Sequence, residues 1–315
     1  MNQKLRLVAE QQRGVFSRQQ ALRCGYTPKQ IRARLNDGRW LRIRHGQYAE
    51  PLDLTALEPW SRSRLEHLQL VHAVVNSRRR SSVVVSHQSA LALHGLPLWG
   101  LDLGRAHITR QDETVSGTVA GVHCHAGGLV DADLTDADGL ASTTVARAVF
   151  ETACTTSFEA AVVAFDAALR DHSISEDDVR RLVDVTQYWP GSPTARAALN
   201  FGDARSESVG ESRLRVLMSN NELPAPELQV EFHDIRGFVA RVDFFFPQFS
   251  TVVEFDGRLK YAEAAGDVLV QEKVREDRLR ALGLQVVRAG WVDFNRPDRL
   301  LTSIRDAFVR ARQAA

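Results

Sequence analysis

Between Arg241 and Gly257 the chain reads Arg-Val-Asp-Phe-Phe-Phe-Pro, a short break, then Thr-Val-Val-Glu-Phe-Asp-Gly, an alternation of period two that suits a β-hairpin and not a helix. With Pro247 to Ser250 as a four-residue loop, Phe246 faces Thr251, and the same register sets Asp243 opposite Glu254 and Arg241 opposite Asp256. Val242, Phe244, Val253 and Phe255 then turn to the other face, toward a core. Two carboxylates directly across a ladder repel unless a proton, a cation or a basic side chain lies between them. A divalent metal on Asp243, Glu254 and Asp256 is one solution. A solvated or Arg-bridged polar face, with Arg241 on Asp256, is the other.

The flanking segments add chemistry to this hairpin. Ser206 to Met218 reads as a helix whose Glu211 lies beside Leu214 and Met218, at the edge of the inward face, so that a third acid reaches the strands. The competing partner for Glu211 is Arg215, one turn away on the same helix. Downstream, Val268 to Leu282 carries Gln271, Glu272, Lys273 and Asp277 in a helical pattern closed by Gly283, and Leu284 to Ala289 is a further apolar strand.

A helix with Glu, strands with Asp and then Glu-x-Asp-Gly, a charged helix, and a strand Gln285-Val-Val-Arg288 ending near Trp291 together resemble the PD-(D/E)XK nuclease superfamily, in particular its very-short-patch-repair-like endonuclease domains. The resemblance implies an αβββαβ core and Mg²⁺-dependent (or Mn²⁺-dependent) hydrolysis of DNA phosphodiesters. It assigns Glu211, Asp243 and Glu254 as metal ligands, with the Phe255 carbonyl as a further one. The position two after the acid, usually Lys in that superfamily, is Asp256 here, and it joins the expected catalytic set. Lys260 and Lys273 are the substitutes for the missing cation, which would stabilise charge building on the phosphate.

The other informative stretch is the first fifty residues, where eleven Lys or Arg stand against three acids, a local net charge of +8 in a chain whose total is only +1. A helix from Lys4 breaks at Gly14. Ser17 caps a short helix ending near Gly25, and Thr27-Pro-Lys-Gln30 combines an N-cap, a first-turn Pro and a capping-box Gln. The third helix, Lys29 to Asn36, displays Lys29, Arg32 and Arg34. After Asp37-Gly38 an alternating pair of strands follows, turning at His45-Gly46 and carrying Arg42 and Arg44. The pattern is a helix-turn-helix with a basic wing, its third helix placed to enter a DNA groove. The alternative is a small basic helical cap packed on its own protein.

This segment is similar to the winged-helix N-terminal domain of AbiEi-type antitoxins, and Ser86-His-Gln-Ser-Ala-Leu-Ala-Leu-His-Gly-Leu-Pro97 and Asp138 to Arg147 resemble recurring stretches of that family. The resemblance implies promoter binding by the winged helix and a toxin or antitoxin protein as partner. Between residues 55 and 200 the pattern mixes strands (Ser82 to Ser86, Arg105 to Thr109, Thr118 to His125) with helices (Arg62 to Asn76, Thr144 to Ala153, Phe158 to Arg170, Ser175 to Val185). His123 and His125 share a strand face, yet no third ligand lies nearby in sequence. His87 and His94 are read as histidines satisfied by hydrogen bonds. Arg78-Arg-Arg80 is a basic loop, and Gly191 to Ser208 reads as an interdomain linker in which Ala195-Arg-Ala-Ala-Leu199 allows a helical turn.

At 315 residues, 44% of them hydrophobic, the chain can build two or three cores. The expected fold is α+β multidomain: a winged helix (1–54), a central mixed α/β domain (55–200) and a nuclease-like αβββαβ domain (201–315). No apolar run spans a bilayer and no leader opens at Met1-Asn-Gln-Lys4, so a cytoplasmic protein is expected, with no membrane partner. Cys24, Cys124 and Cys154 fit neither a zinc spacing nor a disulfide framework. No Walker or dinucleotide fingerprint implies ATP or NAD. The expected activity is a DNA endonuclease targeted by the winged helix, with a homodimer natural for palindrome reading. Its rivals are a non-catalytic autorepressor with a degenerate nuclease fold, and a toxin–antitoxin module that uses that fold for protein contact.

Overall fold

Two reciprocal side-chain caps start the helices of the N-terminal segment. Ser17 Oγ accepts from Gln20 N at 3.1 Å while the Gln20 side chain accepts from Ser17 N at 2.7 Å, and Thr27 with Gln30 repeats the device behind Pro28. The elements in order are α1 (Gln3–Glu10), β1 (Val15–Ser17), α2 (Arg18–Arg23), α3 (Pro28–Asn36), β2 (Leu41–Arg44) and β3 (Gln47–Ala49), with the strands in the order β1-β3-β2, all antiparallel. Leu5, Phe16, Ile31, Trp40 and Tyr48 form the core. Phe16 and Tyr26 both stand edge-on to Trp40, at 4.7 and 4.9 Å between ring centroids. Three helices, then a hairpin that returns beside β1, make a winged helix-turn-helix.

The computed structural model describes residues 1–78, 83–110, 115–257 and 266–314. The chain divides into two compact units: Met1–Ala164 with His172–Asn200, and Phe165–Asp171 with Phe201–Ala315. The winged helix and the central segment, expected as separate domains, therefore share the first unit.

After the winged helix, the first unit continues through α4 (Pro59–Ser77), β4 (Val84–Val85), α5 (His87–His94), β5 (Ala106–Arg110), β6 (Gly117–Val119), β7 (Val122–Ala126), β8 (Leu134–Ala137), β9 (Leu140–Thr143), α6 (Val145–Ala153), the first half of α7 (Phe158–Arg170), whose residues from Phe165 belong to the second unit, α8 (Glu176–Val185) and α9 (Ser192–Phe201). Its sheet runs β6-β7-β5-β4-β9-β8, with β5 parallel to β7 and β4 parallel to β9. The single strand expected from Thr118 to His125 is instead a hairpin, because Ala120 (φ 49°) and Gly121 (φ 75°) both take the left-handed conformation of a tight turn. The expected linker also departs: Ser192–Phe201 is a helix with Ala195 and Ala198 fully buried. Arg147, 1% exposed, crosses the unit's interior and is held by Asp133 at 3.1 Å and Glu151 at 2.9 Å.

The second unit is built from α10 (Val209–Asn220), β10 (Glu227–Asp234), β11 (Gly237–Phe246), β12 (Thr251–Asp256), α11 (Gly266–Ala281), β13 (Gln285–Gly290) and α12 (Pro297–Ala314). The strands lie in chain order; the first three are antiparallel, and α11 carries the chain over to a parallel β13. Phe246 pairs with Thr251, and Pro247–Phe249 form one short turn of helix before Ser250 reverses the chain at φ 39°. Leu214 and Met218 of α10 and Ile304 and Phe308 of α12 pack with Phe244, Phe246 and Val253. Leu279 of α11 packs instead with Val242, Val252 and Leu284.

A buried ion pair fixes α10. Arg215 Nη2 reaches both oxygens of Asp166 at 2.8 Å, and its Nη1 donates to the Phe201 carbonyl at 3.0 Å. The competing pairing of Arg215 with Glu211 is not formed, since Arg215 points inward to Asp166. Removing one partner of such a buried pair strands the other charge, so Asp166→Ala is expected to cost about 3–5 kcal/mol in urea unfolding, while the double change Asp166→Leu with Arg215→Met recovers most of that loss.

Candidate functional site

In the first unit, the candidate nucleic-acid surface is α3 and the wing. Lys29 and Arg32 stand exposed on α3, and Arg42 is exposed on β2. The other two residues expected on that surface are placed differently. Arg34 lies half-buried, with its guanidinium 4.9 Å from the Tyr26 ring centroid and 5.6 Å from that of Trp40, so its first task is packing against aromatic faces. Arg44 is half-buried where the wing packs on α4; burial first, and Arg78 second, disfavour its charge. Its Nη1 is enclosed without a hydrogen-bond partner among the described residues. Arg39 lies outside the patch chemistry as well, being paired with Asp37.

In the second unit the expected acids are set around one end of β11 and β12. Asp243 Oδ2 accepts from the Phe255 backbone N–H at 2.7 Å, so the carboxylate stands where the ladder beyond Phe244–Val253 would have continued. Glu211 is nearly buried at the start of α10, its Oε2 accepting from Glu207 N at 2.9 Å and from Gln229 Nε2 at 3.0 Å. Gln229 also hydrogen-bonds Asp243 and so ties the two acids together. Its backbone is left-handed at φ 56°, a conformation uncommon for a non-glycine residue and found where a side chain is being aimed. Nothing in the sequence pattern marks Gln229, which is an ordinary strand residue by composition.

Glycine at 210 allows this approach. A Cβ there would lie 1.9 Å from Phe255 Cε1, so α10 can seat its first turn on the Phe255 ring only because position 210 has no side chain. Burial pushes the Glu211 carboxyl above its ordinary range, and the nearby Asp243 adds to the shift. Burial likewise raises Asp243, against the Phe255 N–H and Arg275, which both favour its charge.

Glu254 has a different partner. The Arg275 guanidinium of α11 is ion-paired to Glu254 Oε1. On the neighbouring strand Glu254 is registered beside Arg288, which binds Glu272 at 2.9 Å and Glu276 at 3.3 Å on α11. Among the described residues the basic group against the acids is Arg275; Lys273 is exposed on α11, and Lys260 lies outside the described residues. Arg275 went unnoticed in sequence, although it sits one turn before the buried Leu279 and so on the sheet-facing side of the helix. Arg241 does not cross to Asp256; it pairs with Glu207 at 2.8 Å.

As set in this structure the three acids are each engaged by the protein and do not converge as a group of three. Mg²⁺ needs free carboxylate oxygens converging at close range, whereas a guanidinium takes an oxygen of Glu254, and Glu211 and Asp243 accept protein N–H groups. Among the described residues the acids are not gathered within metal-sharing distance. An arginine thus neutralises one of the acids, but it is Arg275 on Glu254 and not the Arg241 on Asp256 that the hairpin register offered.

Residues 3–51 match the family described as "Transcriptional regulator, AbiEi antitoxin", and the N-terminal segment is a domain of that type. Two proteins of Mycobacterium tuberculosis are similar to this chain: the uncharacterized protein MT2308 of strain CDC 1551 / Oshkosh and the uncharacterized protein Rv2248 of strain ATCC 25618 / H37Rv. Each is 34% identical over 155 residues, 49% of this chain and 56% of the relative, so the chain spans about half the length of these relatives. Among solved structures, the RV2827C protein of M. tuberculosis matches with a TM-score of 0.39 at 14% identity, covering 73% of this chain and 87% of that one. The family match covers residues 3–51 and leaves residues 201–315 outside it.

The raised carboxyls give a pH-dependent expectation. A carboxyl whose folded pKa lies above its unfolded value adds stability below pH of about 4, and that contribution is lost as pH rises through the folded value. At pH 7.5 the buried carboxylates of Glu211 and Asp243 therefore weigh against folding. Glu211→Gln and Asp243→Asn are each expected to melt higher than the parent at pH 7.5, with the difference shrinking toward pH 4.5. Equal melting temperatures at pH 7.5 would show that the two carboxylates carry no burial penalty.

Proposed function

We propose that the chain is a DNA-binding transcriptional regulator of the AbiEi-antitoxin kind, with α3 and the wing as its DNA-contacting surface. The observation that carries this reading is the winged helix itself, with Lys29, Arg32 and Arg42 exposed on its α3 and wing and a local charge of +8. Arginine and lysine there neutralise phosphates and release counterions, so affinity falls steeply with salt. The family description matched by residues 3–51 names an antitoxin, which makes a cognate toxin protein the second partner of the proposal. Among the described residues no helix is long and apolar enough to cross a membrane.

Arg32→Ala and Arg42→Ala should each weaken binding to a duplex from the protein's own upstream region and each reduce the log–log salt slope by about 1. Arg34→Ala should act differently, lowering thermal stability because it removes an aromatic-stacked guanidinium. Fluorescence anisotropy across a salt series reads the first effect and a thermal melt the second. Unchanged slopes in both exposed variants would take α3 and the wing off the DNA.

A second reading, metal-dependent DNA hydrolysis by the second unit, is supported by the element order αβββαβ and by the buried Glu211 and half-buried Asp243 held on one glutamine. It is opposed by Arg275 on Glu254 and by Asp256 where the resemblance implies Lys. Plasmid, single-stranded and mismatched DNA incubated in Mg²⁺ or Mn²⁺ separate the readings. The regulator reading expects no cleavage by the parent or by Arg275→Ala; cleavage by the parent that disappears in Asp243→Ala would establish the nuclease.

A further inference from the structure

Four histidines of the first unit, dispersed over nearly forty residues of sequence, come together under the start of α5. His123 and His125 share a face of β7, and parallel pairing with β5 sets His107 beside His123. Strand alternation turns Cys124 to the opposite side. Helix α5 supplies His87. The result is a stack of imidazoles: His87 lies on His125 with centroids 3.5 Å apart and planes within 14°, while His123 lies near-parallel to His107 at 5.2 Å.

The geometry points to a binding site for a divalent transition-metal ion of the Zn²⁺ class, formed by His87, His107 and His125. One ring nitrogen from each of the three lies within 4.8 Å of the others. Nδ1 of His107 and Nε2 of His125 are 2.9 Å apart. Two imidazole nitrogens bound to one ion at about 2.0–2.1 Å stand about 2.9–3.4 Å apart, so this pair is already spaced as neighbouring ligands. Nitrogen-only donors favour Zn²⁺, Co²⁺, Ni²⁺ or Cu²⁺ over Mg²⁺ and Ca²⁺.

Polar groups surround these rings, and because His87 and His125 are stacked face to face, one of the two turns about its Cβ–Cγ bond for both nitrogens to meet a shared ion. Gln88 Nε2 contacts His107 Nε2 at 2.8 Å, and Ser89 Oγ accepts from His107 N at 2.8 Å. His87 Nδ1 is 3.1 Å from Ser86 Oγ and 3.5 Å from a Glu151 carboxylate oxygen, and that carboxylate also accepts from His87 N at 3.3 Å. A carboxylate behind a ligating histidine is a recurrent support of metal sites, because it fixes the tautomer and the ring plane. His87 itself has φ 53°, a strained conformation for a histidine, which sets its ring against the cluster.

The alternative is a buried histidine stack satisfied by hydrogen bonds alone, and metal titration of the full chain separates the two. After treatment with a chelator, the protein is titrated with Co²⁺ and followed by visible absorption, then with Zn²⁺ against a chromophoric chelator. The expected result is one Co²⁺ per chain, displaced by Zn²⁺, with affinity lowered at least about 100-fold by His107→Ala and by His125→Ala. His94→Ala, in the same unit but outside the cluster, and Asp243→Ala, in the acidic site, should bind as the parent does. X-ray absorption of the Zn²⁺-loaded parent, which needs no variant to fold, should show imidazole scattering and no sulfur. Absence of stoichiometric binding, binding that survives loss of both His107 and His125, or sulfur in the coordination shell would each overturn the proposal.

Discussion

A charge taken out of water has to find a partner, and in this protein that requirement decides which elements are held together. Arg147 crosses the interior of the first unit only because Asp133 and Glu151 meet it there, and Arg181 adds a further contact to Asp133 at 2.5 Å. Helix α6 is thereby pinned to the 3-10 turn preceding β8, and Glu151 passes the constraint on to His87. Arg215 with Asp166 does the same for α10 in the second unit. Because the α10 backbone is located by that pair and by the Phe255 ring beneath Gly210, the position of Glu211 follows from packing and is not free to adapt to a ligand.

The same rule settles the character of the acidic cluster. Three carboxylates near one strand end demand compensation, and the chain meets the demand with hydrogen bonds to Glu211 and Asp243 and with a guanidinium on Glu254. The regulator reading has its own support, the family match of residues 3–51, and draws on a separate basic surface.

Local signals carried far in this sequence. The capping pairs Ser17–Gln20 and Thr27–Gln30, the first-turn Pro28 and the His45-Gly46 turn defined the winged helix residue by residue, since each acts within four positions of itself. Period-two alternation likewise gave the register of Phe246 with Thr251. What alternation could not give was the partner of each charge. Lys273 and Arg275 are two residues apart, hence on different sides of α11, and only the packing of Leu279 tells which faces the sheet. Arg215 chose an acid 49 positions away over one at helical spacing. The Gly191 to Ser208 segment looked like a linker because its residues are small, yet small size is what lets Ala195 and Ala198 bury a helix against its neighbours. His123 and His125 lacked a third companion in sequence for the same reason: α5 and β5 supply it through the fold.

The clamping of Arg34 has a mechanical corollary. With its guanidinium laid over Tyr26 and Trp40, and Trp40 wedged among Phe16, Tyr26 and Tyr48, the third helix and the base of the wing cannot swivel against each other without unstacking rings. On a duplex such a head would behave as a stiff caliper. Grooves of unsuitable width would have to deform to be gripped, and discrimination between sequences would then come partly from how readily they bend.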